Sequence, residues 1–415
     1  SLSLSLSLLL LLHKMHRHYF FLAIWSIFFT LFLILVFPVF WLEMFRAVPF
    51  VQRMAEYEGD SRPFGWFDAI VYSIIFYCVL LLLSYKNQKV SRTLTKNLII
   101  FWGFCGMLVS RDFQWKHDPC PEKIRNLNRK KKQNRLIVFV RHGESEWNEI
   151  FNRGINFNFF VKLFKGLWKE LTLLSTRDSV FVDASLSPEG MEQIEHLNEF
   201  LTDPPNTSKH QHLNTLIEIL RGNKSVDNSI IVCSNLRRAV ATACIGFQHR
   251  IKKTGEQIYL MSSLQEISTN VDANALSGTQ EVPDIHCIND RMFEGWSTDY
   301  LNASMNFGQK PLFRTNGFKR MREFCEWAFS QPKETIIVGG GHSFYFLEFF
   351  DCFLDREQHI AKQQILKNGG VVAFVLETGK VDGVTHYRIP PESIHEIFGG
   401  TKGDYSAFKD GIRKK

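Results

Sequence analysis

The chain has 415 residues and a net charge of +7, enough length for one large or two ordinary domains. The charge is uneven: residues 1–135 hold 18 Lys and Arg against 8 Asp and Glu, a balance of +10, which leaves −3 for the other 280. The basic excess therefore belongs to the amino-terminal third, and nothing in the remainder points to nucleic acid. The eight cysteines form no CxxC pair and no zinc spacing, which fits free thiols in a reduced compartment.

Residue 1 is serine, and residues 1–18 combine a low-complexity Ser/Leu tract with a basic stretch in which Met15 offers a start. Residues 19–110 read as a membrane region. Tyr19–Leu42 gives 24 uncharged, mostly apolar residues, more than the roughly 20 needed to cross a bilayer. A second span is expected at about 67–85, around the 17 uncharged residues Ala69–Tyr85. Trp25, Trp41, Trp66, Tyr19 and Tyr85 lie in or at the ends of these runs, and four of the five fit an aromatic belt. The 14 uncharged residues Asn97–Ser110 suit an interfacial or re-entrant segment better than a span. Lys86, Lys89, Arg92 and Lys96 on one side, and the basic run within the 111–134 linker on the other, both favour the cytoplasm. Two crossings follow, with the amino terminus and the large domain cytosolic. The basic run of the linker reads either as contact with anionic headgroups or as a plain solvated linker.

From residue 135 to about 400, short apolar runs alternate with helical patterns. Strands are expected at Leu136–Val140, Ser229–Ser234, Thr335–Gly339 and Gly370–Leu376, with an edge strand at His386–Ile389. Ser187-Pro188-Glu189 reads as an N-cap followed by proline at the first helical position. The helix it opens carries Ile194, Leu197, Phe200 and Leu201 on one face. Further helices are expected from near Leu236, Phe318 and Phe344. The alternation predicts an α/β class, a parallel-type sandwich of sheet and helices. Residues 401–415 form a tail.

Strand ends in such a sheet are where ligands bind. The first strand runs into Arg141, His142, Gly143 and Glu144, the second into Arg237 and Arg238, and the third into Gly339-Gly340-Gly341-His342. Arginine forks match the spread negative charge of a phosphoryl group, and a histidine with a fixed tautomer can act as a covalent nucleophile. His142 is the expected nucleophile.

The motifs RHGESEWN (141–148), DASLSPEG (183–190), SNLRRAVATA (234–243), LQE (264–266) and GGGHS (339–343) occur in the order found in the histidine phosphatase superfamily. Over roughly residues 134–390 the chain resembles that superfamily's phosphoglycerate-mutase-like branch. The resemblance implies that His142 takes the phosphoryl group as phosphohistidine, while Arg141, Arg238 and His342 bind its oxygens, with Ser145 and Asn148 nearby. It implies Glu266 as the acid that protonates the leaving oxygen and then the base that activates water. It implies a mixed, mostly parallel sheet sandwiched by helices, no metal and no organic cofactor, and a phosphorylated small molecule or phosphoprotein as substrate. Glu144 reads as an orienting partner, Glu146, Glu149 and Arg237 as facing solvent, and His196, His210, His249 and His286 as surface or core residues.

The sequence departs from the mutases after Asn148, where an arginine and a Gly-Trp segment would help hold phosphoglycerate. Here 34 residues, Glu149–Val182, intervene, with Phe157, Phe159, Phe160, Phe164, Trp168 and three lysines. That insert could be a pocket wall, a lid, a membrane-touching helix or a helix packed on the core. A membrane-anchored phosphatase is therefore expected. Its rivals are a phosphoglycerate-type mutase and a tethered module that binds phosphorylated ligands without turnover.

Overall fold

The computed structural model describes residues 84–115, 121–127, 131–154, 156–204, 211–309, 316–355 and 359–403. The spans expected at 19–42 and 67–85 lie outside these residues, apart from the last two positions of the second. By contacts the chain divides into Ser1–Val79 and Leu80–Lys415, and only the second unit is described below.

Its centre is an eight-stranded sheet. Strands β1 (Lys132–Arg141), β2 (Ser229–Ser234), β3 (Ile258–Met261), β4 (Leu301–Met305) and β5 (Thr335–Gly341) lie in the order β4-β3-β2-β5-β1, every neighbouring pair parallel. A two-stranded side ribbon pairs β6 (Ile365–Leu366) with β10 (Thr401–Lys402). Beyond β1 the main sheet turns antiparallel, through β7 (Val371–Val381), β8 (Val384–Arg388) and β9 (His395–Phe398), the last two both pairing with β7.

The mixed, mostly parallel sheet is thus as the resemblance implied, with differences in the strands, of which the first is that β1 starts at Lys132, four residues ahead of the expected Leu136. The run expected at Gly370–Leu376 continues to Val381, because β7 forms one long antiparallel ladder with β1. The tail expected from 401 starts as a paired strand. The short strands β3, β4, β6, β9 and β10 were not foreseen. Several are only two to four residues long, too short for any periodicity to register.

Along β1 the side chains alternate between two cores. Val138 and Val140 join one cluster with Ile194, Leu197, Val240 and Ile251, and Ile137 and Phe139 join the other with Phe324, Phe346 and Phe349. That two-sided burial explains the continuous apolar run. The helices are α1 (Gln88–Val109), α2 (Glu146–Phe151), α3 (Phe157–Leu173), α4 (Pro188–Thr202), α5 (Gln211–Leu220), α6 (Arg237–Gly246), α7 (Gln248–Thr254), α8 (Gly317–Ser330) and α9 (Ser343–Phe353). Ser187 caps α4 by accepting from Gly190 N–H at 3.1 Å, and Ile194, Leu197 and Leu201 are buried on the expected face, with Phe200 against Phe398.

The segment expected to be interfacial or re-entrant at 97–110 is the second half of α1, a helix that packs on the sheet-bearing unit. A Cβ on Gly103 would come within 2.4 Å of the Val271 side chain. Among the described residues, no helix is long and apolar enough to cross a membrane. Asp112, placed in the linker by sequence, is buried and ion-paired with Arg320 at 2.6 Å. By contacts, the compact unit that starts at Leu80 takes in both α1 and Asp112.

Candidate active site

Four parallel strands, in their spatial order β3-β2-β5-β1, deliver chemistry at their carboxyl ends. β3 leads through a short 3-10 turn to Glu266, β2 to Arg238 in the first turn of α6, β5 to His342, and β1 ends at Arg141 and His142. All five side chains are buried. Close backbone approach makes this convergence possible. A Cβ on Gly340 would sit 2.0 Å from the Ala239 carbonyl oxygen, and one on Gly190 would sit 1.9 Å from that of Glu144. Only glycine fits either position.

His142 is held at both ends of its ring. Nδ1 donates to the Gly143 carbonyl at 2.6 Å, and Nε2 faces Arg238 Nε at 3.3 Å. Its backbone N–H donates to Gly341 O at 2.9 Å, and its carbonyl accepts from Asn368 Nδ2 at 3.2 Å. Burial, then the charges of Arg238 and Arg141, hold its pKa well below the usual histidine range. The imidazole is therefore neutral, with its proton on Nδ1 and its lone pair on Nε2 pointing into the arginine cluster. The His342 ring lies 5.1 Å away, centroid to centroid.

Arg238 is aimed by Asp272, whose carbonyl accepts from Nη1 at 2.9 Å and whose carboxylate lies 3.5 Å from Nη2. Thr242 ties the two motifs together: its hydroxyl donates to Arg238 O at 2.8 Å and accepts from Gly143 N–H at 3.1 Å. Arg141 Nη1 donates to Leu366 O at 2.5 Å. Lys402 feels Arg141 as well: burial, then Arg141, lower its pKa from the usual lysine value.

Glu266 Oε1 accepts from Ile267 N–H at 3.0 Å and Tyr345 N–H at 2.9 Å. Burial pushes its pKa up to about 7, against the opposing pull of Arg238. Its loop is fixed from behind. Arg320 Nη2 donates to the Glu266 carbonyl at 3.2 Å, and Asp112 binds both Arg320 and the Ser268 N–H.

The structure thus brings His142, Arg141, Arg238, His342 and Glu266 together. It gives Ser145 and Asn148 local partners. Ser145 Oγ caps α2 by accepting from Asn148 N–H at 3.2 Å, and Asn148 Oδ1 accepts from Asn152. Glu144 pairs with Arg153 and accepts from Ser187 Oγ. Two expectations are corrected. Arg237, expected in solvent, is buried because Asp178 and the Asp284 carbonyl take its guanidinium. Glu146, expected at the surface, is only partly exposed and paired with Lys169; burial raises its pKa. Asp183 accepts from the N–H groups of Arg237 at 2.8 Å and Leu276 at 3.0 Å, bracing the start of α6. Asp272, Thr242, Asp112 and Arg320 were missed. Each acts across 34 to 208 positions of sequence, or sits inside a helix with no motif of its own.

The fold and site define an α/β protein with a buried histidine pair and two arginines at the carboxyl ends of parallel strands. No family model matches the chain, and no curated protein does. Among solved structures it is similar to a mycobacterial hydrolase, with 14% identity, 65% of this chain and 100% of that chain covered, and a TM-score of 0.30. It is similar to a mycobacterial glucosyl-3-phosphoglycerate phosphatase complexed with VO3, with 14% identity, 61% and 96% covered, and a TM-score of 0.29. A third likeness is to a phosphoserine phosphatase variant from Entamoeba histolytica in complex with phosphoserine, with 12% identity, 66% and 98% covered, and a TM-score of 0.28. Likenesses at this level leave the functional reading to the chain's own geometry.

Proposed function

We propose that the chain is a phosphatase that hydrolyses a phosphomonoester through a phosphohistidine on His142. The observation that carries this reading is the state of His142: a neutral ring, its proton held on Nδ1 by Gly143, its Nε2 lone pair facing the Arg238 guanidinium.

In the first step Nε2 attacks phosphorus and the bond to the leaving oxygen breaks. Glu266, protonated near neutrality, gives its proton to that oxygen, and an alcohol departs. Arg141, Arg238 and His342 hold the equatorial oxygens, whose charge they meet without reorganising. In the second step water attacks the phosphohistidine, Glu266 takes its proton, the N–P bond breaks and inorganic phosphate leaves. Ser145 and Asn148 border the phosphate from the start of α2. No step needs a metal or an organic cofactor. The substrate is a phosphorylated small molecule or a phosphoprotein, and the chain is anchored to a membrane by the segments at 19–42 and 67–85, with its catalytic domain cytosolic.

The test is phosphate release from an aryl phosphate by the full chain and by its His142→Ala variant. Loss of release by about a thousandfold or more in the variant supports the reading. Release that survives the substitution refutes the nucleophile.

A further inference from the structure

Helix α3 lies within the insert that separates this chain from the mutases, and its outer face has no part in the mechanism above. Its inner side is well accounted for. Phe159 packs against Phe151 with ring centroids 6.0 Å apart, a Cβ on Gly166 would come within 2.8 Å of Ile150, and Glu170 accepts from Ser179 Oγ and Val180 N–H. The opposite side exposes Phe157, Phe160, Val161, Phe164, Trp168 and Leu171. At 3.6 residues per turn these six fall within an arc of about 100°. Phe157 is 81% and Phe164 72% accessible, where a helix on a globular domain turns charged residues outward.

One margin of that arc is basic. Lys162, Lys165 and Lys169 follow it, between the apolar crest and the buried side. Lys162 pairs with Glu149 at 3.0 Å and Lys169 pairs with Glu146, both acids of α2. Lys165 is exposed beside them. A crest of aromatic residues edged by lysines matches a helix lying in the headgroup region, with rings in the acyl boundary and ammonium groups among anionic phosphates. The sequence ahead of the described residues holds 24 consecutive uncharged residues, 19–42, long enough to cross a bilayer. The described chain begins at Ser84, just before α1, and α1 is fastened to α3. Lys96 pairs with Glu170 at 2.8 Å and donates to Leu173 O at 2.9 Å and Asp178 O at 2.6 Å.

We infer that the outer face of α3 docks on a lipid bilayer bearing anionic headgroups. Because α3 is tied to α2 through both lysine–glutamate pairs, docking would fix how the His142 site is presented to the membrane. This goes beyond the phosphatase reading and does not depend on it.

The test uses the full chain with vesicles of phosphatidylcholine and phosphatidylserine. A nitroxide is placed through Phe164→Cys or Lys165→Cys, and the signal of labelled wild type, whose Cys287 is exposed, is subtracted. Docking is expected to raise relaxation by oxygen at position 164 and abolish relaxation by a water-soluble nickel chelate there, while position 165 stays open to nickel. Nickel access retained at 164 would overturn the inference. So would shielding at 164 from both oxygen and nickel, the signature of a protein cover by a second copy or by residues 19–42. Aryl phosphate release by the same variants is read in parallel, so a failed phosphatase reading and a failed docking reading give separate signals.

Discussion

At the scale of single residues, His142 and Glu266 owe opposite protonation states to the same burial. Removing water disfavours whichever form is charged, so the imidazole stays neutral and the carboxyl keeps its proton. The pH dependence of kcat/KM follows. A general acid must be protonated, so activity is expected to fall as pH rises through about 7, the value to which Glu266 is pushed. The low-pH limb, where His142 gains a proton, should lie well below 6.5. Glu266→Gln should cost about 10²–10⁴ in rate and remove the upper limb. A fall that persists near pH 7 in that variant would move the acid elsewhere. The same shift affects stability. Because the folded pKa of Glu266 is raised, its contribution is fully present below its unfolded value of 4.5 and is lost as pH rises through about 7. Arg238→Ala should lose about 10²–10³ in turnover, the cost of removing one preorganised donor from developing charge. Steady-state kinetics on a folded variant decide this.

The residue types and spacings of the motifs were enough to place Arg141, His142, Arg238 and His342 at strand ends. What the sequence did not carry was the second layer. Arg237 and Arg238 are adjacent in the motif, and only Asp178 and Asp272, brought in by folding, explain why one braces the fold while the other faces Nε2 of His142.

At the scale of elements, the Glu266 loop depends on a partner from outside the sheet. Asp112 joins the α1 end of the unit to Arg320 on α8, and Arg320 in turn holds the Glu266 carbonyl. Asp112→Asn leaves a buried guanidinium without its counter-charge, and about 3–5 kcal/mol of stability should be lost, read by urea unfolding. If the variant unfolds like wild type, this pair does not hold the loop. The alternation of β1 between two cores makes a second case. Phe139 stacks on Phe346 at 4.2 Å between ring centroids and meets Phe374 edge-on at 5.0 Å, so Phe139→Ala should cost about 3–5 kcal/mol. The apolar stretch of β1, Leu136–Val140, and β5 were legible from composition, whereas the polar start of β1, Lys132–Arg135, was not. The two-to-four-residue strands were not, since their ladders are set by neighbours and not by local pattern.

At the scale of the whole molecule, the proposed cytosolic placement of the domain makes a claim about the three Asn-X-Ser/Thr sequons at Asn206, Asn223 and Asn302. None should carry glycan in a eukaryotic cell, by mass spectrometry of the purified chain. Glycan on any of them would place the domain in a lumen. The insert after Asn148 was visible in the sequence as an aromatic, lysine-containing stretch. Which of its residues face outward was not, because that depends on how Phe159, Gly166 and Glu170 seat the helix against Ile150, Phe151 and Val180.

The most direct measurement is acid-quenched trapping of the enzyme with a phosphate donor. The full chain would be mixed with an aryl phosphate, stopped within a turnover, and digested for phosphopeptide mapping. The expected result is an acid-labile, base-stable phosphate on His142 that decays to inorganic phosphate at the rate of turnover. Turnover without any such adduct, or with the phosphate on another residue, would contradict the central claim.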